Sequence, residues 1–340
     1  MNAKITIGWL FAISTGCSLG CAPEAGDIPE SMVAQNTSAL VPALTGRVAF
    51  HKYKAYGDGS SQLYVLNLGT RALTPLSRGW TNVKDCMNAH FSPDGKKLVF
   101  MAKPYAGGVM SAYWNLYTYA FASGGNPVAL TTTAAVHEED PKWSPDGLRV
   151  VYKVRPQVLR QITVATKVAT TIIGTGSSER SMPFYNAAGT SVWYSLRPAG
   201  GTAEQESIRK VNVDGTGDSL VIDSVGMKDY YPVRDTVGQF LWTRAISATD
   251  KHDQIYMYDG VAPGTRLAIN GADDFSDACP VGTSYIVYST TAGGRSSGRW
   301  DYDLYVANRA TGAAFPLGAY NPGVNTSEQE LGASYTATSN

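Results

Sequence analysis

The chain has 340 residues, 16% of them charged, and its 28 Lys and Arg balance its 28 Asp and Glu. A chain with no basic surplus excludes nucleic acid as a partner, because phosphates demand a positive face to neutralise them. Length alone would allow two domains.

Residues 1–16 read as a signal peptide. A short basic start precedes an apolar run over 5–13 that is too short to span a bilayer. Gly16-Cys17 then resembles a bacterial lipobox, which makes Cys17 the expected lipid-bearing residue and Cys21 the alternative. Residues 17–38 are expected to be a flexible tether: from residue 22 they carry proline, acids and small polar groups with few apolar anchors. As a coil, such a tether spans roughly 22 Å. The chain is thus expected to be exported, as a periplasmic or outer-membrane lipoprotein, at the cell surface, or secreted.

From residue 39 to 317 the sequence repeats. Gly46, Gly95, Gly147, Gly189, Gly238 and Gly282 each precede a short apolar and aromatic run, at steps of 42 to 52 residues. A period in that range marks a repeat architecture whose units bury their faces against one another. Two copies are fullest, Phe91-Ser92-Pro93-Asp94-Gly95 and Trp143-Ser144-Pro145-Asp146-Gly147. Pro presets φ for the first turn position and Gly supplies positive φ at the end, so each copy opens with a hairpin. Pro141, Pro183 and Pro232 each stand six residues before their glycine and fix the register of three copies. Later strands begin at Gln62, Asn115, Gln254 and Asp303, each a polar residue leading into Leu-Tyr or Ile-Tyr, and outer strands close at Leu73, Leu130 and Phe315. Four short strands per period make one propeller blade. The fold is expected to be all-β, a six-bladed β-propeller of four-stranded antiparallel blades with scarce helix. Residues 318–340 form either a tail or the segment that seals the ring, and 31–37 is the other candidate for that strand.

The two Ser-Pro-Asp-Gly copies, each followed by a Leu-Tyr strand and a closing Leu-Thr, resemble the Pro-Asp repeats of TolB-type, WD-repeat-like six-bladed propellers. The similarity covers about residues 40 to 317. It implies a propeller that binds partners in the bacterial envelope, and the same blade pattern occurs in polysaccharide lyases and peptidase propeller domains.

A propeller gathers the loops that enter its innermost strands at one mouth of a central channel. These segments carry Asp85; His137, Glu138, Glu139 and Asp140; Glu179 and Arg180; Asp229, Tyr230 and Tyr231; and Asp273 and Asp274. One reading is an acidic, partly aromatic funnel for a cationic group, a metal ion or a basic peptide. The other is that these acids bond neighbouring backbone amides. His90, His137 and Glu138 are weak metal candidates, calcium is conceivable through carboxylate oxygens, and no cofactor is otherwise expected. His51 and His252 are placed on outer positions. Were the protein a lyase, His137, Tyr230 or Tyr231 would act as base and Arg180 would neutralise a uronate, because β-elimination needs both.

Gly294-Arg295-Ser296-Ser297-Gly298 matches the hydrolase elbow by letter but lies in a glycine- and serine-rich loop. Cys86 and Cys279 fall in non-adjacent copies, so two unpaired thiols are expected, and there is no Cys-x-x-Cys spacing for zinc. Trp143, Trp193 and Trp242 are assigned to the core, whereas Trp80, Tyr113, Trp114 and Trp300 are the aromatics offered to a partner. The functional expectation is a monomeric, non-catalytic propeller that binds an envelope protein or a saccharide and meets the membrane only through its lipid; the alternative is a polysaccharide lyase.

Overall fold

The computed structural model describes residues 41–245, 252–293 and 301–339, and the signal peptide, Cys17, Cys21, the tether, the Gly-x-Ser-x-Gly match and Trp300 lie outside them. The strands follow the repeat. Blade 1 takes β1 (Arg47–Tyr53), β2 (Gln62–Asn67) and β3 (Leu73–Pro75). Blade 2 takes β4 (Val83–Phe91), β5 (Lys97–Ala106), the short β6 (Val109–Met110), β7 (Asn115–Ala120) and β8 (Val128–Ala129). Blade 3 runs β9 (Glu138–Trp143), β10 (Arg149–Val154), β11 (Val158–Thr163), β12 (Val168–Ile173). Blade 4 runs β13 (Glu179–Tyr185), β14 (Ser191–Arg197), β15 (Ser207–Asn212), β16 (Ser219–Ile222). Blade 5 runs β17 (Asp229–Arg234), β18 (Phe240–Ala245), β19 (Asp253–Met257), β20 (Thr265–Arg266). Blade 6 runs β21 (Phe275–Val281), β22 (Tyr285–Thr290), β23 (Asp303–Asn308), β24 (Ala314–Pro316).

The innermost strand of blade 1 comes from the other end of the chain. β25 (Gln329–Thr336) pairs antiparallel with β1, giving the order β25-β1-β2-β3, so the carboxy-terminal segment seals the ring. Every blade is antiparallel and almost no helix is present among the described residues. The fold is a six-bladed propeller.

The turns show why the repeat reads as it does. All six repeat glycines have positive φ, between +61° and +93°. In the second blade the Ser92 hydroxyl donates to Asp94 at 2.6 Å, and the amides of Lys96 and Lys97 donate to the Asp94 carboxylate and to Ser92 Oγ. Ser144 and Asp146 repeat these bonds in blade 3. The looser copies substitute one side chain: Asn186 accepts from the amides of Thr190 and Ser191, and Asp235 from those of Val237 and Gln239.

Between blades the core is aromatic. Trp193 of blade 4 stacks on Phe240 of blade 5 at 3.8 Å, and Trp143, Trp193 and Trp242 are buried as expected. Trp80 and Trp114 are buried too, contrary to the expectation that loop tryptophans face a partner. Trp80 packs on Phe100, and Trp114 lies over the Lys103 ammonium while its indole N–H donates to the Asp85 carbonyl. Tyr113 is half-buried against His137. Cys86 and Cys279 are free and buried, in separate core clusters.

Candidate functional site

The inner strands β4, β9, β13, β17, β21 and β25 each break register against their neighbour within the blade. At each break one residue has positive φ: Asn88, Asp140, Met182, Tyr231, Asp277 and Gly332, all between +51° and +64°. These are β-bulges, and bulges re-aim side chains and free a backbone group from the ladder. Here the freed amides bind across to the preceding blade. Asn88 N–H donates to His51 Nδ1, Met182 N–H to Asp140 Oδ2, Tyr231 N–H to Ser195 Oγ and Gly332 N–H to Asp277 Oδ2. Asn88 Nδ2 donates to Asp140 Oδ1 at 2.9 Å. This upper tier laces the blades together at mid-channel.

His51 belongs to this tier, not to the outer position expected from its place on a second strand. It is 3% exposed and fills the space that Gly332 leaves; a Cβ on Gly332 would come within 2.5 Å of its ring. Burial, then Lys142, holds the His51 imidazole down to about 3. The Asp277 carboxyl is pushed up by burial despite its bonds to Gly332 and Ser276.

Two residues further along each inner strand lies a lower tier of His90, Lys142, Phe184, Val233, Cys279 and Ser334, which together line a chamber of about 80 Å³. The chamber continues into a funnel of about 440 Å³ at the end of the channel formed by the hairpin turns, sharing His90, Phe184, Arg234 and Tyr335. Pro93, Pro145, Trp143 and Thr236 form part of the funnel wall. Its one acid, Asp235, is held by Arg309 at 2.9 Å.

At the opposite, entering end the acids fall mostly on the strands themselves, and five of them meet a base on or beside the second strand. Asp85 pairs with Lys103 at 2.7 Å, and Glu139 with Lys153 at 3.3 Å and Arg155 at 3.0 Å. Glu179 binds Arg197 and lies 3.7 Å from Lys153; Asp229 accepts from Arg244 at 2.6 Å and from the Trp242 indole at 2.8 Å. Glu330 repeats the pattern with Lys52 at 3.5 Å. Five of the carboxylates recurring at this end are therefore charge-compensated within or between blades, where the sequence suggested either a free acidic funnel or bonds to backbone amides.

The remaining candidates are spread apart in their bonding. Glu138 is buried and accepts from Thr133. Asp274 accepts from the Asp253 amide and the Tyr302 hydroxyl, and Asp273 is half-buried beside it. Tyr230 donates to Asp253, Arg180 donates to the Gln157 carbonyl at 2.7 Å, and His137 packs against Tyr113 and Trp114. Tyr231 alone of the four lyase candidates lines the chamber. His90 Nδ1 accepts from the Trp143 amide at 3.1 Å. Among the described residues no three His, Cys, Asp or Glu side chains are grouped to hold a metal ion.

Lys142 is a channel residue that sequence reasoning missed, and Asn88 and Asp277 stand in the entering segments without having been singled out. The column seven residues before the repeat glycine, Asn88, Asp140, Met182 and Tyr231, carries the upper tier in four blades and was available as a signal.

No protein-family model matches the chain, and no curated protein does. Solved structures do. Hydrazine synthase from Kuenenia stuttgartiensis superposes with a TM-score of 0.66 at 13% identity, over 86% of this chain and 46% of that one, so this chain spans about half its length. A chain of the nidogen/laminin complex gives 0.62 at 10% identity, over 86% of this chain and 99% of that one. A TolB-like protein from Agrobacterium tumefaciens gives 0.54 at 14% identity, over 86% and 100%. The likeness is one of fold. No helix among the described residues is long and apolar enough to cross a membrane.

Proposed function

We propose that this chain is an exported, non-catalytic propeller, tethered to the membrane or secreted, that binds a protein or saccharide partner in the bacterial envelope at the turn-side mouth of its channel. One observation carries the reading: the turn side opens as a funnel of about 440 Å³ into a polar chamber. Convergent blades and a concave, partly aromatic wall with a few polar groups at its floor are what a ligand site needs. At the other end, Asp85, Glu139 and Asp229 are already matched by bases from their own blades.

The lyase alternative is less well served. A base and a cation have to converge on one sugar carbon and its carboxylate, whereas Arg180 is spent on backbone carbonyls and Tyr230 on Asp253.

The purified protein would be screened on envelope glycan and peptide arrays beside Thr236→Trp, which places an indole at an exposed position on the funnel wall. Binding present in the parent and lost in the variant is expected. Binding that Thr236→Trp leaves untouched, or uronate polymers converted to an unsaturated, ultraviolet-absorbing product, would refute the reading.

A further inference from the structure

We infer that the lower tier of the channel is a site for a single carboxylate group, with the Lys142 ammonium as its counter-ion. The inference rests on the preceding reading for the route of arrival, and adds what the arriving ligand carries.

Lys142 is 6% exposed and lines the chamber. Its Nζ makes no hydrogen bond or ion pair with a described residue; it lies 5.8 Å from the centroid of the Tyr231 ring and feels Asp140 and Asp277 only through space. Burying an ammonium without a partner is costly, so such groups are paired or sit where a ligand pairs them. The carboxylates facing it from the upper tier, Asp140 and Asp277, are occupied by Asn88 Nδ2 and by the amides of Met182 and Gly332.

The rest of the chamber offers donors. Because His90 Nδ1 accepts from Trp143, the neutral ring carries its proton on Nε2. Burial holds that ring well below its ordinary value and therefore neutral. Ser334 Oγ accepts from the Phe91 amide, which leaves its hydroxyl proton to give. Arg234 stands where chamber and funnel meet, bound through Nε and Nη1 to the Tyr185 and Asp235 carbonyls. No carboxylate lines the chamber. The Lys142 ammonium inside, neutral donors beside it and Arg234 at the mouth, set against Asp140 and Asp277, leave room for a single negative charge, and a volume of about 80 Å³ suits a carboxylate better than a multiply charged phosphate, which those two acids would repel more strongly.

The test uses the purified protein in carboxylate-free buffer at constant ionic strength, titrated calorimetrically with acetate and with its neutral isostere acetamide. Saturable binding of acetate alone is expected, and Lys142→Met should weaken it by at least about tenfold. Should that variant fail to fold, the Nζ resonance of Lys142 in 15N-lysine-labelled parent protein supplies the same answer, shifting with acetate and not with acetamide. Equal responses to the two probes, or acetate binding that survives in a folded Lys142→Met, overturn the proposal. Repeating the comparison with N-acetylglycine and glucuronate, each against its amide, tells a chain-end acid from a sugar acid by which gain depends on Lys142. Partner binding at the funnel that persists in Lys142→Met would sink this inference and spare the function. Acetate binding without any array ligand would do the reverse.

Discussion

A buried carboxyl on β25 sets one pH dependence of the fold. Glu330 is fully buried, and burial pushes its carboxyl up to about 7, against the pull of Thr326 and Lys52. A folded state that holds a proton more tightly than the unfolded chain loses stability as pH rises. The loss from this group spans the interval from its ordinary 4.5 to about 7, and no single group contributes a slope above about 1.4 kcal/mol per pH unit. Asp253, raised to about 6 by burial, adds to the same trend. His51 and His90, kept neutral by burial, contribute in the opposite sense up to their ordinary 6.5, so the expected outcome is read by difference: the stability advantage of the parent over Glu330→Gln, from urea midpoints, should fall as pH rises from 4.5 to 7. A difference that stays constant with pH would mean that Lys52 keeps Glu330 ionised throughout.

At the scale of the element, the recurring device is an acid on an inner strand held by a base on the strand beside it. Asp229 and Arg244 face each other in the register of β17 and β18, and both are buried. Removing one partner leaves an uncompensated buried charge, so Arg244→Met should cost about 3–5 kcal/mol in urea unfolding. Adding Asp229→Asn, which still offers the Trp242 indole an acceptor, should recover part of that loss. These pairs mark where sequence reading stopped. The turn residues Ser92, Asp94 and Gly95 were legible because their bonds close within five residues. Asp229 and Arg244 are fifteen apart, and Asp85 and Lys103 eighteen, so each acid looked free until the register set its base opposite. The bulges hid the channel in the same way. An extra residue flips which side chains point inward, and only pairing reveals that Lys142 and Asp277 line the centre. His51 was misplaced because the space it occupies depends on Gly332, at the far end of the chain.

For the whole molecule, closure depends on β25. It supplies an entire inner strand to blade 1, the partner of Lys52, the acceptor for the Phe91 amide, and a bulge bonded to Asp277. A protein ending at Glu328 loses all of these while keeping the other five sheets. The loss should be a large part of the roughly 5–15 kcal/mol by which a domain of ordinary stability is folded. Far-ultraviolet circular dichroism of the truncated protein should retain strand signal but show a broad, non-cooperative urea transition; a sharp transition at the parental midpoint would show that the sealing strand is dispensable.

Gly332 and Ser334 of that same strand belong to the two tiers of the channel. They follow every other blade in chain order, so a growing chain carries five nearly finished sectors around a cavity with one wall missing until this strand is made. The channel is walled only once this strand has docked, and any modification or cleavage within it reaches the centre directly.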